Sequence, residues 1–99
     1  MASGLRDQLK NRTKAFALRV LKGFLALPRR TDCQILGKQL IRSGTSVGAQ
    51  YREALRARSP AEFVSKLESA QQELEETIYW IELIIDHGVC PPPAPLAPR

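Results

Sequence analysis

The side chains able to do chemistry in this sequence are few and scattered. His87 is the only histidine, and Cys33 and Cys90 are the only cysteines. Acid–base or nucleophilic catalysis needs a reacting group with a second group positioned to activate it, and no such pair stands out here. The chain therefore reads as a non-enzyme, and no cofactor is expected. His87 falls at the end of a helical pattern, where the dipole favours a cation, and reads as a capping residue. Cys33 and Cys90 lie far apart with no His or Cys partner at metal-ligand spacing. That argues against zinc and predicts free thiols in a reducing cytoplasm. Glu68, Glu75 and Glu82 recur every seven residues with Asp86 nearby. A dinuclear carboxylate site also needs Glu-x-x-His pairs on facing helices, so no metal site is expected.

What the sequence offers in quantity is positive charge, unevenly placed. The net charge is +5, but residues 1–58 carry +10 and residues 59–99 carry −5. At about 100° per residue, Lys38, Arg42, Arg52 and Arg56 form one ridge on a helix, interrupted by Thr45 and Ala49. Such a ridge can follow a phosphate backbone, and Arg12, Arg19 and Lys22 on an earlier helix could extend it. No aromatic residue interleaves the ridge, which favours backbone contact over base reading. The same charges can equally be a solvated face, or can pair with the acidic flank of the third helix. Both readings stay open.

Three helices must position these groups. The first runs from Arg6 or Asn11 to Leu27 and is stopped by Pro28, with Phe16, Val20, Phe24 and Leu27 sharing an apolar side. Its Arg-rich, acid-poor start reads as this helix rather than as an organelle presequence. The second, capped by Thr31 or Asp32, reaches Ala57. Leu36, Leu40, Ser43, Val47, Tyr51 and Ala54 form its inward stripe. Ser43 to Gly48 holds two glycines and three hydroxyl residues and could break the helix or cradle a phosphate. The stripe keeps its phase through the segment, which favours a continuous helix whose Gly37, Gly44 and Gly48 admit a close neighbour.

Ser59-Pro60-Ala61-Glu62 starts the third helix, with a serine cap, proline in the first turn and glutamate placed to close a capping box; Gly88 stops it. Its expected core stripe is Phe63, Leu67, Ala70, Leu74, Ile78, Ile81 and Ile85. From Ile78 to Ile85 the helix is apolar nearly all round and needs further cover. Tyr79, Trp80, Leu83 and Ile84 are the candidate oligomer-interface residues. Residues 1–90 read as a single helical-bundle domain. Residues 91–99, rich in proline, read as a flexible tail. The longest apolar-rich stretch, Ala15 to Leu27, contains Arg19 and Lys22 and is too short to span a bilayer. No membrane partner is expected.

Leu40-Ile41-Arg42-Ser43-Gly44-Thr45-Ser46-Val47-Gly48-Ala49-Gln50-Tyr51-Arg52-Glu53-Ala54 closely resembles the signature of the 23S rRNA intervening-sequence protein family, small bacterial four-helix-bundle proteins. Arg12 to Ala17, Ser59 to Leu67 and Glu76 to Leu83 are similar to that family as well. The resemblance implies an all-α, up-down four-helix bundle that assembles as a homopentamer, without known catalysis. A related branch, the accessory variability determinant of diversity-generating retroelements, binds a reverse transcriptase and nucleic acid. RNA or DNA and a reverse transcriptase are thus the partners that the resemblance implies. Two departures stand out: Gln50 replaces the usual Asn, and Cys90 followed by proline stands where a fourth helix would continue. The expectation is a truncated bundle that self-assembles and binds nucleic acid, RNA foremost, through its basic face. The rival is a structural or adaptor oligomer without nucleic-acid binding.

Overall fold

The structure, a computed structural model, describes residues 4–88 and 90 of the 99. The proline-rich segment 91–99, read above as a flexible tail, lies outside the described residues. Three helices and no strand are found among the described residues: α1 (Gly4–Leu25), α2 (Thr31–Leu55) and α3 (Pro60–His87). Short turns join them, so chain neighbours run antiparallel. The Tyr51 hydroxyl near the end of α2 donates to the Arg6 carbonyl near the start of α1, at 3.3 Å. At the other end, His87 of α3 meets Asp32 of α2.

The fold class is all-α, and α2 is its middle element. It touches both α1 and α3 far more than they touch each other. The helix runs unbroken through Ser43 to Gly48, and its buried positions include Leu40, Ser43, Val47, Tyr51 and Ala54. Glycine brings α1 close. A methyl group on Gly44 would sit 2.8 Å from Val20 Cγ1, and one on Gly37 would sit 2.6 Å from Leu27 Cδ1. Ser43, Thr45 and Ser46 hydroxyls donate to carbonyls one turn back, which satisfies them without breaking the helix.

The helix ends follow local chemistry with two adjustments. Ser59 Oγ accepts from the Glu62 amide at 3.1 Å, Pro60 opens α3, and Gly88 ends it with φ 73°. Glu62 Oε1, however, accepts from the amide of Arg58, one residue before the cap. At α2 the N-cap is Arg30, with no side-chain cap, rather than Thr31 or Asp32. Asp32 is instead engaged by Arg30 and His87.

The core joins Val20, Leu27, Cys33, Leu40, Ile84 and Cys90, with Phe16, Phe24, Trp80 and Ile81 against it. Along α3 the inward stripe differs from expectation. Thr77 and Ile84 are buried, whereas Leu74 is 39% and Ile78 49% exposed. The cause is geometric: α3 turns one face to α2, and no described helix covers the neighbouring face that carries Leu74 and Ile78. Those positions share the helical phase of Leu67 and Ile85, so the sequence pattern alone could not separate the two faces.

Cys33 and Cys90 are joined in a disulfide. The expected free thiols are therefore corrected: no free cysteine is present. Their separation along the chain hid the pairing. The antiparallel course of α2 and α3 returns the chain end to the start of α2 and leaves their Cα atoms 5.7 Å apart.

Candidate nucleic-acid interface

Because α1 and α3 occupy adjacent sides of α2, the face of α2 opposite its buried stripe stays open to solvent. Lys38 stands there, Arg52 lies toward the α1 side of it, and Arg56 is the C-cap, since α2 ends at Leu55 rather than at the expected Ala57; all three are exposed. None forms an ion pair among the described residues. Arg42 is different. Its guanidinium donates to Glu73 at 3.3 Å and also to Glu76, both on α3. The hydrogen bond to Glu76 above all, with both carboxylates' charge, holds its pKa above the ordinary arginine value. Arg42 thus fastens α3 to α2 at the edge of the ridge. Lys66 does the same near the other end, donating to Glu53 at 2.7 Å, a bond that raises the lysine pKa.

The α1 candidates divide in an unexpected way. Arg12 and Arg19 are exposed but line a groove with Leu9, Phe16, Val47 and Leu74, on the flank of α1 turned toward α3. Lys22 is exposed one turn further on. Arg12 and Arg19 do not continue the α2 ridge. Lys14, which is not among the residues expected from sequence, does: it lines a shallow groove with Thr45, Gly48, Ala49 and Arg52 between α1 and α2. The signal that would have found it is the glycine side of α2. Gly48 must face α1, so Arg52, one turn on, lies beside the α1 flank carrying Lys14.

The four candidate interface residues of α3 likewise separate. Ile84 is 1% exposed and belongs to the core of its own chain. Trp80 is half-buried against that core, its indole Nε1 shielded and without a hydrogen-bond partner. Leu83 lines a cleft with Ile35 and Leu36. Only Tyr79 lies out on the surface, its ring edge-on to Trp80. Next to it along the helix is Ile78, which with Leu74 forms the uncovered apolar flank.

At the far end of the bundle, Asp32 gathers its partners. Arg30 donates through Nε and Nη2 at 3.2 and 3.1 Å, and His87 Nε2 lies 2.9 Å from Oδ2. The His87 bond first, then Arg30, holds the Asp32 carboxyl well below the usual carboxylate range. The sequence predicts only a dipole cap at His87; its partner is in fact a side chain on another helix. Glu68, Glu75, Glu82 and Asp86 are exposed along α3, as a solvated flank would be. No described helix is long and apolar enough to cross a membrane.

A family profile described as 23S rRNA-intervening sequence protein matches residues 7–93. No curated protein matches the chain. Among solved structures, it is similar to a protein of unknown function from the S23 ribosomal protein family of Bacteroides thetaiotaomicron. The two are 42% identical over 80% of this chain and 73% of the other, with a TM-score of 0.70.

Proposed function

The chain belongs to the 23S rRNA-intervening sequence protein family, and from that premise we propose that it is a non-catalytic helical protein that binds nucleic acid, RNA foremost, through the open face of α2. The observation that carries this reading is the exposure of Lys38 and Arg52 on the open side of α2 and of Arg56 at its C-cap, without acidic partners among the described residues. Lys14 adds a fourth cation across the shallow groove beside Arg52. Exposed cations without partners are free to exchange condensed counterions for phosphates, the largest source of sequence-independent affinity. The family name, which refers to an rRNA insert, favours RNA among polyanions.

Self-association, as a homopentamer, is part of the proposal. The exposed apolar flank of Leu74 and Ile78 supports it, with Tyr79 exposed on the adjoining face, since a chain this short gains much of its stability by covering such a surface. Repetition of the basic face around an oligomer would also strengthen its field.

The deciding experiment is the salt dependence of binding to a single-stranded RNA oligonucleotide. With about four phosphate contacts per protomer, log affinity should fall with log salt at a slope of about −3. Replacing Lys38, Arg52 and Arg56 together by Ala should flatten that slope to about −1 while helicity is kept. Absence of binding at low salt, or a slope unmoved by the triple substitution, defeats the proposal and leaves a structural adaptor.

A further inference from the structure

The reversal between α2 and α3 that forms the disulfide also delivers two more metal-binding groups to the same spot. Asp32 precedes Cys33 at the start of α2, and His87 precedes Cys90 by three residues at the end of α3, a metal-ligand spacing that corrects the expectation of no histidine partner for Cys90. Gly88, in the left-handed conformation, turns the chain between them. Ligand atoms of Asp32, His87 and Cys90 all lie within 4.8 Å of one another, and Cys33 is bonded to Cys90. The geometry points to a redox-gated zinc site: when the disulfide is reduced, Cys33, Cys90, His87 and Asp32 together bind one Zn²⁺.

The ligand chemistry fits. Two thiolates, an imidazole and a carboxylate form a set suited to zinc, whose tetrahedral bonds of about 2.0–2.3 Å place neighbouring ligand atoms about 3.3–3.8 Å apart. Closing Asp32, His87 and Cys90 from within 4.8 Å to those separations needs movements of about an ångström, and reduction frees the Cys33 sulfur, now bonded to Cys90, to turn toward the same point. Both sulfurs lie in the interior, whereas His87 and Asp32 remain partly open to solvent. An apolar cleft lined by Ile35, Leu36 and Leu83 reaches the same His87 and Asp32 and gives the ion a way in. Arg30 already holds Asp32 from the outside, which orients the carboxylate and offsets the surplus negative charge of three anionic ligands on a divalent ion.

The chemistry balances in two steps. A dithiol reductant gives two electrons and two protons to the Cys33–Cys90 bond, which becomes two thiols while the reductant closes its own disulfide. Zinc then displaces the two thiol protons, and the neutral His87 ring supplies a lone pair. The covalent cross-link between α2 and α3 is exchanged for a metal one, so the bundle end stays fastened in either redox state. None of these residues belongs to the basic face.

The test uses the full chain, reduced anaerobically with a phosphine that is then removed, and titrated with Co²⁺ followed by Zn²⁺. The reduced protein should take up one cobalt ion per chain, with thiolate-to-metal charge-transfer absorption and the intense visible bands of tetrahedral cobalt, both bleached by zinc. Zinc should raise the melting temperature of the reduced protein and leave the oxidised one unchanged. His87→Gln and Asp32→Asn alter partly exposed positions, so helicity by circular dichroism should persist, but cobalt affinity should fall at least about tenfold in each. Failure of the reduced chain to take up cobalt overturns the proposal. So does equal uptake by the oxidised protein, or undiminished affinity in His87→Gln.

Discussion

The hydroxyl of Thr77 on α3 lies 2.9 Å from the hydroxyl of Ser43 on α2, in a contact from which water is excluded. The Ser43 hydroxyl itself donates to the Gln39 carbonyl at 3.1 Å, and Thr77 has a second acceptor in the Glu73 carbonyl at 2.8 Å. Each hydroxyl therefore keeps a partner if the other is removed. Ser43→Ala and Thr77→Val should each cost about 1 kcal/mol, and the double variant less than their sum by about 0.5–1 kcal/mol. Urea unfolding of the four proteins measures the coupling; strict additivity would show that the hydroxyls do not interact.

The approach of α1 to α2 makes a sharper demand. A methyl group on Gly44 would meet both γ-carbons of Val20 at 2.8 Å, and Val20 is a buried, β-branched side chain with little freedom to turn away. Gly44→Ala gains about 1 kcal/mol of helix propensity but should lose about 2–3 kcal/mol to overpacking. The expected result is a net loss of about 1–2 kcal/mol in chemical denaturation. Gly4→Ala, where nothing lies within 4 Å, should not destabilise.

Gly44 also marks how far the fold is legible in the amino-acid sequence. The phase of Leu40, Ser43, Val47 and Tyr51 runs through the glycines, and the continuous helix and its close neighbour follow from it. The Ser59 cap and the Gly88 stop are equally plain, because they depend on residues within one turn. Contacts between distant segments are not. Nothing local distinguishes Arg42, held by Glu73 and Glu76, from Arg52, which forms no ion pair among the described residues. Nor does spacing show that Cys33 and Cys90 meet, or that Leu74 and Ile78 lie beside the packed stripe of α3 rather than on it. These depend on which side of α2 each neighbour takes, a choice the hydrophobic period leaves open.

Reducing the disulfide should weaken the fold measurably. Cys33 and Cys90 are 57 residues apart in sequence, and the cross-link restricts the unfolded chain over that whole loop. Reduction in the presence of a chelator should cost about 2–4 kcal/mol and lower the melting temperature by roughly 10–25 °C. Cys33→Ser with Cys90→Ser should match the chelated, reduced protein. A melting temperature indifferent to reduction would mean that the cross-link adds nothing to stability.

Arg42 and Arg52 should separate stability from binding. The Arg42 side chain is 48% exposed, so solvent screens its pairs with Glu73 and Glu76, and Arg42→Ala should cost about 0.5–1 kcal/mol. Its effect on the salt slope of RNA binding should be slight. Arg52→Ala should leave stability within about 0.5 kcal/mol and reduce the slope by about 0.7. The opposite assignment, with Arg42 controlling the slope, would place the interface toward the α2–α3 edge.

Ile84 and its neighbours on α3 distinguish folding from assembly. Ile84 fills the core of its own chain at 1% exposure, so Ile84→Ala should cost about 2–4 kcal/mol at any protein concentration. Ile78 and Tyr79 are about half exposed and touch little of the core. Replacing both by Ser should cost no more than about 1 kcal/mol within the protomer, chiefly the edge-on contact of Tyr79 with Trp80. If copies meet at Ile78 and Tyr79, the double substitution should reduce the mass measured by light scattering to that of the single chain while helicity is retained. A wild-type protein already at single-chain mass, or a double variant whose mass is unchanged, would remove Ile78 and Tyr79 from any interface.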